Sequence, residues 1–335
     1  RVVTANKALL AIHGAELARL AERGGAPLGF EAAVAGGLPV IKTLREGLAG
    51  NRIERVAGIL NGTCNYILSM MREEGREFAD VLAEAQRLGY AEADPSFDID
   101  GIDAAHKLAI LAALAFGRPV AFADVYVEGI RRISALDIHY ASELGYRIKL
   151  LGIARRSDGG VAAKGVTARV HPCMVAETAP LARVDGVTNA IVAEGDFVGR
   201  VVLEGPGAGA GPTASAVVAD LIDLARGRLT PVWGAAAAEL SPDASVPMQL
   251  HSGCYYLRLM VVDRPGVIAD VTAVLRDFGV SLESMLQHGR APGEAVAVVL
   301  VTHETNEAAV RTALARIAAL EAVLEEPTLI RIEPG

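Results

Sequence analysis

Lysine is scarce in this 335-residue chain: Lys7, Lys42, Lys107, Lys149 and Lys164 stand against 27 arginines. A guanidinium is effectively never deprotonated, so the few lysines mark positions where a compact amine is needed and arginine does not serve. Basic runs are missing too, and the net charge is −8, which excludes the electrostatic footprint of a nucleic-acid or acidic-membrane binder. The three cysteines, Cys64, Cys173 and Cys254, are far apart and odd in number. No CxxC spacing offers a zinc or redox site, and reduced thiols in a cytoplasmic protein are expected. No apolar run reaches the roughly 18 residues of a membrane span, and no signal-peptide pattern opens the chain. The first residue is not Met, and Val2 and Val3 read like the end of a buried strand, so an upstream segment is expected.

What is present is ample apolar content, 52% of residues, enough for two or three domains. "ALLAIHGAELARLAERGG" has helical spacing and stops at Gly24 and Gly25. "LGFEAAVAGGLPVI" reads as a short strand running into a glycine-rich turn, and "NRIERVAGIL" as a strand. Helices are expected near 63–74, 77–88 and 102–116. "YRIKLLGIARRSDGGVAAKGVTARVHP" reads as two strands joined at "SDGG", and "NAIVAEGDFVGRVVLEG" as a second hairpin. Periodicity is lost over 235–254, the expected linker. Residues 255–333 then read strand, helix, strand, strand, helix, strand, the order of a ferredoxin-like βαββαβ unit. Its "DRPGV" resembles the signature of ACT domains, regulatory modules that often bind amino acids. Gly266 there would let a ligand carboxylate approach a helix N-terminus, and a plain turn with a dimerisation surface is the alternative.

The densest chemistry lies in "AEADPSFDIDGIDAAHKL", where Glu92, Asp94, Asp98, Asp100 and Asp103 precede a single amine, Lys107. On a helix, Asp103 and Lys107 are i and i+4 and share a face. A solvated salt bridge is the ordinary reading of that spacing. A lysine in an arginine-rich chain points instead to a general acid, with the acids binding an ammonium group. The EF-hand glycine and terminal glutamate are missing, which weighs against a calcium loop. In "NGTCNYIL", Asn61 and Thr63 fit a helix N-cap or a substrate contact, and Cys64 has no base beside it in sequence. Gly205, Gly207 and Ala210 of "GPGAGAG" match GxGxxA between strand and helix. The acidic strand end expected about twenty residues later is absent, so the match is partial.

"VVTANKALL", "GFEAAVAGGLPVI", "GILNGTCNYIL", "GYAEADPSFDIDGIDAAHKLAILA" and "GPGAGAGPTASAVVADL", in this order and before an ACT-like end, resemble homoserine dehydrogenase over nearly the whole chain. The resemblance implies an α/β fold with three parts. Residues 1–35 and 205–234 would belong to an incomplete Rossmann-type nucleotide domain, 36–204 to an α+β substrate and dimerisation domain, and 255–333 to the ACT domain. It implies interconversion of L-aspartate 4-semialdehyde and L-homoserine with NADP or NAD, on the route to threonine and methionine. Lys107 would donate the proton, Glu92 and Asp103 would hold substrate, and Lys7 would lie near the cofactor and the reacting carbonyl. Gly207 and Gly209 would lie by the cofactor, and a structural sodium ion would take oxygens from Glu31, Val34, Gly36 and Leu38. Threonine would be the effector at Gly266, and the assembled form a homodimer or larger homo-oligomer. The first GxGxxG strand is lacking, a shortfall of about 100 residues by the usual length of such a half, so weak NAD(P) binding and slow turnover are expected. A non-catalytic, amino-acid-sensing or oligomerising fragment is the alternative, and another nicotinamide enzyme a weaker third.

Overall fold

The computed structural model describes residues 1–158, 164–228, 230–241, 244–289 and 292–334. Strands Val2–Val3 (β1) and Leu28–Gly29 (β2) run parallel, joined by helix Lys7–Arg23 (α1). The Asn6 side chain caps α1 by accepting the Leu9 N–H at 3.0 Å. A glycine-rich turn leads to the short helix Val40–Lys42 (α2), whose Ile41 and Lys42 N–H groups donate to the Glu31 carboxylate at 2.9 and 3.0 Å.

Strand Ile53–Ile59 (β3) then feeds four helices: Gly62–Glu74 (α3), Phe78–Arg87 (α4), Ser96–Ile99 (α5) and Ile102–Phe116 (α6). Helix α6 is apolar almost all round, so it is buried nearly throughout. Strand Tyr126–Val127 (β4) and helix Ala135–Glu143 (α7) precede the hairpin Tyr146–Asp158 (β5) and Lys164–Ala176 (β6). The turn expected at "SDGG" lies, from residue 159, outside the described residues. The second expected hairpin, Thr188–Gly195 (β7) with Gly199–Pro206 (β8), is antiparallel and leads into helix Ala210–Ala225 (α8). Within 235–254, Val166 bonds to Ala244 and Val246 through backbone hydrogen bonds, fastening this segment to β6.

The C-terminal part contains Ser252–Val262 (β9), Val267–Asp277 (α9), Leu282–Gln287 (β10), Ala295–Thr302 (β11), Thr305–Asn306 (β12), Glu307–Ala318 (α10) and Thr328–Glu333 (β13). Its strand order, β10-β11-β9-β13, is the ferredoxin-like one that the sequence pattern implied. β13 also pairs in parallel with β6, Arg331 opposite Cys173, so both parts share one 11-stranded sheet among the described residues. β9 alternates accordingly. Tyr255, Leu257 and Leu259 pack with Val271 and Ile317 of the α9/α10 layer, while Tyr256 packs with the core that contains Ile138 and Tyr140 of α7. No described helix is long and apolar enough to cross a membrane.

A buried ion pair fastens the same junction. Fully buried Asp137, in the first turn of α7, accepts from Arg258 Nε at 2.6 Å, Arg258 Nη2 at 3.2 Å and the Tyr256 hydroxyl at 3.2 Å. It also completes a capping box with Ser134. Asp137→Ala would leave the Arg258 guanidinium buried and unpaired. A loss of about 3–5 kcal/mol in urea unfolding is expected, and a loss below about 1 kcal/mol would mean that water replaces the partner.

Candidate active site

Gly101, at φ +85°, turns the chain between α5 and α6 in the left-handed region that glycine tolerates. This tight turn places Asp103 in the first turn of α6, where the helix dipole favours a carboxylate. Asp103 is almost fully buried, and it collects three donors from three elements. Lys107, one turn along α6, donates its Nζ to Oδ2 at 2.8 Å and to the Leu60 carbonyl at 2.7 Å. Lys7, from the first turn of α1, lies 2.8 Å from Oδ1. The Asn61 amide donates to Asp103 Oδ2 at 2.9 Å and to Asp98 Oδ1 at 2.8 Å. Asn61 is also the α3 N-cap, its side-chain oxygen accepting the Cys64 N–H at 2.8 Å. The cap reading of Asn61 holds, and its amide is spent on the two aspartates.

Burial opposes ionisation of Asp103, but the two ammonium groups outweigh it and hold the carboxyl down at about 2. Asp98 moves the other way: burial raises it, and the Asn61 bond only partly offsets this. The remaining acids of the stretch do other work. Asp100 pairs with Arg131, and Asp94 accepts the Ser96 N–H at 3.1 Å, shaping the turn into α5. Glu92 is exposed on the loop before it, held by the Gln86 side chain bonding to its carbonyl at 3.0 Å, with no hydrogen bond or ion pair to the lysine–aspartate trio. Cys64 is buried, its thiol pushed up by desolvation, which fits an inert side chain. His106 escaped the reading of the sequence although it lies between Asp103 and Lys107. It is buried between Phe97 and Phe122, burial depresses its pKa, and its Nδ1 has no hydrogen-bond partner among the described residues.

Just beyond the C-terminal end of β8, at the same end of the sheet as Leu60 and Asn61, the glycine-rich segment serves two purposes. A Cβ on Gly207 would lie 1.9 Å from Asn189 Oδ1, and the Gly207 carbonyl accepts the Gly36 N–H at 2.9 Å, so this glycine is a packing necessity. β8 belongs to an antiparallel hairpin, which explains the partial GxGxxA match. Gly209, exposed and at φ +111°, begins α8 without a side-chain cap, leaving first-turn N–H groups unpaired within the helix. In the turn before α2, Glu31 is buried and desolvation raises it to about 7; Leu38 already accepts the Val40 N–H at 2.8 Å. Gly266 begins α9 in open space. His171, Cys173 and Glu333 bring ligand atoms within 4.8 Å of one another. Arg169 donates to His171 Nε2 at 3.1 Å and to Glu333 at 2.6 Å, so a guanidinium already holds this cluster.

A parallel βαβ piece, a helix-lined sheet carrying a buried amine–carboxylate centre and a ferredoxin-like end define a multi-part α/β enzyme with a regulatory module. The homoserine dehydrogenase family profile matches residues 39–222 and the ACT domain profile residues 255–322. The chain is 49% identical to homoserine dehydrogenase of Neisseria gonorrhoeae, over 99% of its own length and 77% of that protein. It is similar to the crystal structure of a homoserine dehydrogenase from Thiobacillus denitrificans, with TM-score 0.93 and 50% identity, over 100% of this chain and 76% of that one. A hyperthermophilic archaeal homoserine dehydrogenase in complex with NADPH is similar over 67% of this chain and 64% of that one, with TM-score 0.58 and 34% identity. The chain belongs to the homoserine dehydrogenase family. It is an oxidoreductase of amino-acid biosynthesis, and the non-catalytic alternative is not favoured.

The depressed Asp103 pKa carries a stability term. Ionised Asp103 stabilises the fold above its ordinary value, and that contribution is lost as pH falls toward about 2. Asp103→Asn should therefore be less stable than the parent at pH 5, with the gap shrinking by about 2–3 kcal/mol between pH 5 and 2 in urea titrations. A gap constant over that range would remove the ion triad as its source.

Proposed function

We propose that Lys107 is the proton donor and acceptor in the interconversion of L-aspartate 4-semialdehyde and L-homoserine. The observation that supports it is one buried carboxylate, Asp103, shared at 2.8 Å by ammonium groups from two different helices. A nicotinamide dinucleotide, NADP or NAD, supplies the hydride when bound. As the new C–H bond forms, the carbonyl π pair moves onto oxygen. Lys107 stabilises that charge and passes a proton to it, leaving a hydroxyl and a neutral amine. In the opposite direction the neutral amine takes the hydroxyl proton. Asp103 fixes the two ammonium groups relative to each other and, with Glu92, holds the substrate, so that its aldehyde stays aligned. Glu92 is suited to the substrate ammonium because its exposed carboxylate has no hydrogen-bond or ion-pair partner among the described residues. Lys7, on the other oxygen of Asp103, faces the cofactor side.

The segment Gly207–Gly209 that leads into α8 takes an anionic part of the cofactor, because Gly209 begins the helix without a side-chain cap and the Ala210 and Gly211 N–H groups have no acceptor within the helix. The turn with Glu31, Val34, Gly36 and Leu38 would hold a monovalent cation mainly on backbone carbonyls. The Glu31 carboxylate is already used on α2, and burial beside Asp220 raises it despite the Lys42 ammonium, so negative character remains that a cation would relieve. The ACT part takes a small amino acid effector, such as threonine, near Gly266. A homo-oligomer, at least a dimer, in the cytoplasm is the working form.

Homoserine-dependent NAD(P)+ reduction tests this reading, with the chain fused to a Rossmann half of a relative. Lys107→Ala should lower kcat by about 10²–10⁴-fold with a small change in KM. Lys107→Arg should not restore it, because arginine does not release its proton. Glu92→Gln should act mainly by raising KM for homoserine. Near-parental kcat in Lys107→Ala would move the proton donor elsewhere, with Lys7 the next residue to test.

A further inference from the structure

Lys7 is the less restrained of the two amines on Asp103. Lys107 is tied both to Oδ2 and to the Leu60 carbonyl, and its side chain is mostly buried. Lys7 stands a third exposed, and Oδ1 is its one ionic partner among the described residues. A lysine held by a single exposed ion pair keeps much of its rotamer freedom. Its place in the first turn of α1 adds an opposing helix dipole.

A second restraint on Lys7 is aromatic. Its ammonium lies 5.7 Å from the centre of the Phe97 ring, within the range at which a ring attracts a cation. Phe97 belongs to the short helix α5 and is itself partly exposed, so it needs support. His106 of α6 supplies it, with ring centres 5.5 Å apart, and Phe122, in the turn before β4, backs His106 at 4.3 Å. His106 is almost fully buried. Burial first, and Lys7 after it, hold the imidazole toward its neutral form against the pull of Asp103, so the support adds little charge to repel the amine. Its Nδ1 makes no hydrogen bond among the described residues, so its two aromatic neighbours do the holding.

We infer that Phe97, backed by His106 and Phe122, is a positioning residue for the reaction: its ring keeps the Lys7 ammonium on Oδ1 of Asp103 and so leaves Oδ2 to Lys107 and Asn61. Without the ring, Lys7 swings toward solvent, and Lys107 takes a larger share of the carboxylate in a tighter pair. The inference rests on Lys107 as proton donor, and a measurement without turnover separates the two.

Trace acylation of the whole chain, read lysine by lysine with mass spectrometry, tests it in Phe97→Leu, Phe97→Tyr and His106→Leu. In Phe97→Leu the labelling rate of Lys7 should rise about two- to fivefold, the equivalent of an exposed cation–ring contact, while that of Lys107 falls. Phe97→Tyr, which keeps a ring, should restore both rates, and His106→Leu should repeat the Phe97→Leu pattern at smaller size. In the fusion with a Rossmann half, Phe97→Leu should lower kcat for homoserine oxidation by a similar factor with little change in KM. The rising limb of its pH profile should move to higher pH, because a tighter pair gives up its proton less readily. Loosening of the structure alone would raise the labelling of both lysines together. That result, unchanged labelling in Phe97→Leu, or failure of Phe97→Tyr to restore it would overturn the assignment. Opposite labelling shifts combined with near-parental kcat in Lys107→Ala would remove the proton-donor reading and leave the hold on Lys7 standing.

Discussion

A carboxylate removed from water must be compensated locally, and Asp103 sets that requirement for the centre of this molecule. Its partners come from α1, from α6 and from the cap of α3, so the charge cannot be satisfied unless three elements converge. Lys7 sits in the first turn of α1, where the helix dipole disfavours a cation. The facing carboxylate and the Phe97 ring, 5.7 Å from the amine, offset that. The geometry that neutralises a buried acid is therefore also the geometry that brings two amines to one point.

Much of this was legible locally. The i, i+4 spacing of Asp103 and Lys107 on an apolar helix gave both the element and the pair, because helical periodicity is a short-range property. The scarcity of lysine was informative in a broader sense than expected. Lys149 is also buried, donating to Asp185 at 2.9 Å, to Val184 and to Asn65, and Lys42 reaches Asp223 at 2.5 Å. The rare lysines thus include compact cations seated among several acceptors, with chemistry as one case among these. Asn61 illustrates the opposite limit. Its capping oxygen follows from the residues around it, but the acids that its amide binds lie 37 and 42 positions away.

The ferredoxin-like order of the C-terminal part was readable from alternation and turn residues. Its fusion to the larger sheet was not. A strand pattern states which face is apolar, but not which distant edge accepts it. The "GPGAGAG" segment shows why motif spacing alone misleads. Gly207 is demanded by Asn189 across a hairpin, so part of a nucleotide-like pattern arises from close packing between two antiparallel strands.

The β6–β13 junction also bears on the order in which the protein is made. Arg169 and Glu333, which cross it, are 164 positions apart. β4 covers β6 at Arg169 and Val170, but the stretch Cys173–Val175 leaves the ribosome long before its parallel partner β13 exists and waits through the synthesis of the C-terminal part. Non-local parallel pairing is slow to form, and a waiting edge invites pairing with other chains. The seam between the two parts is thus the last piece of this sheet that a growing chain can complete.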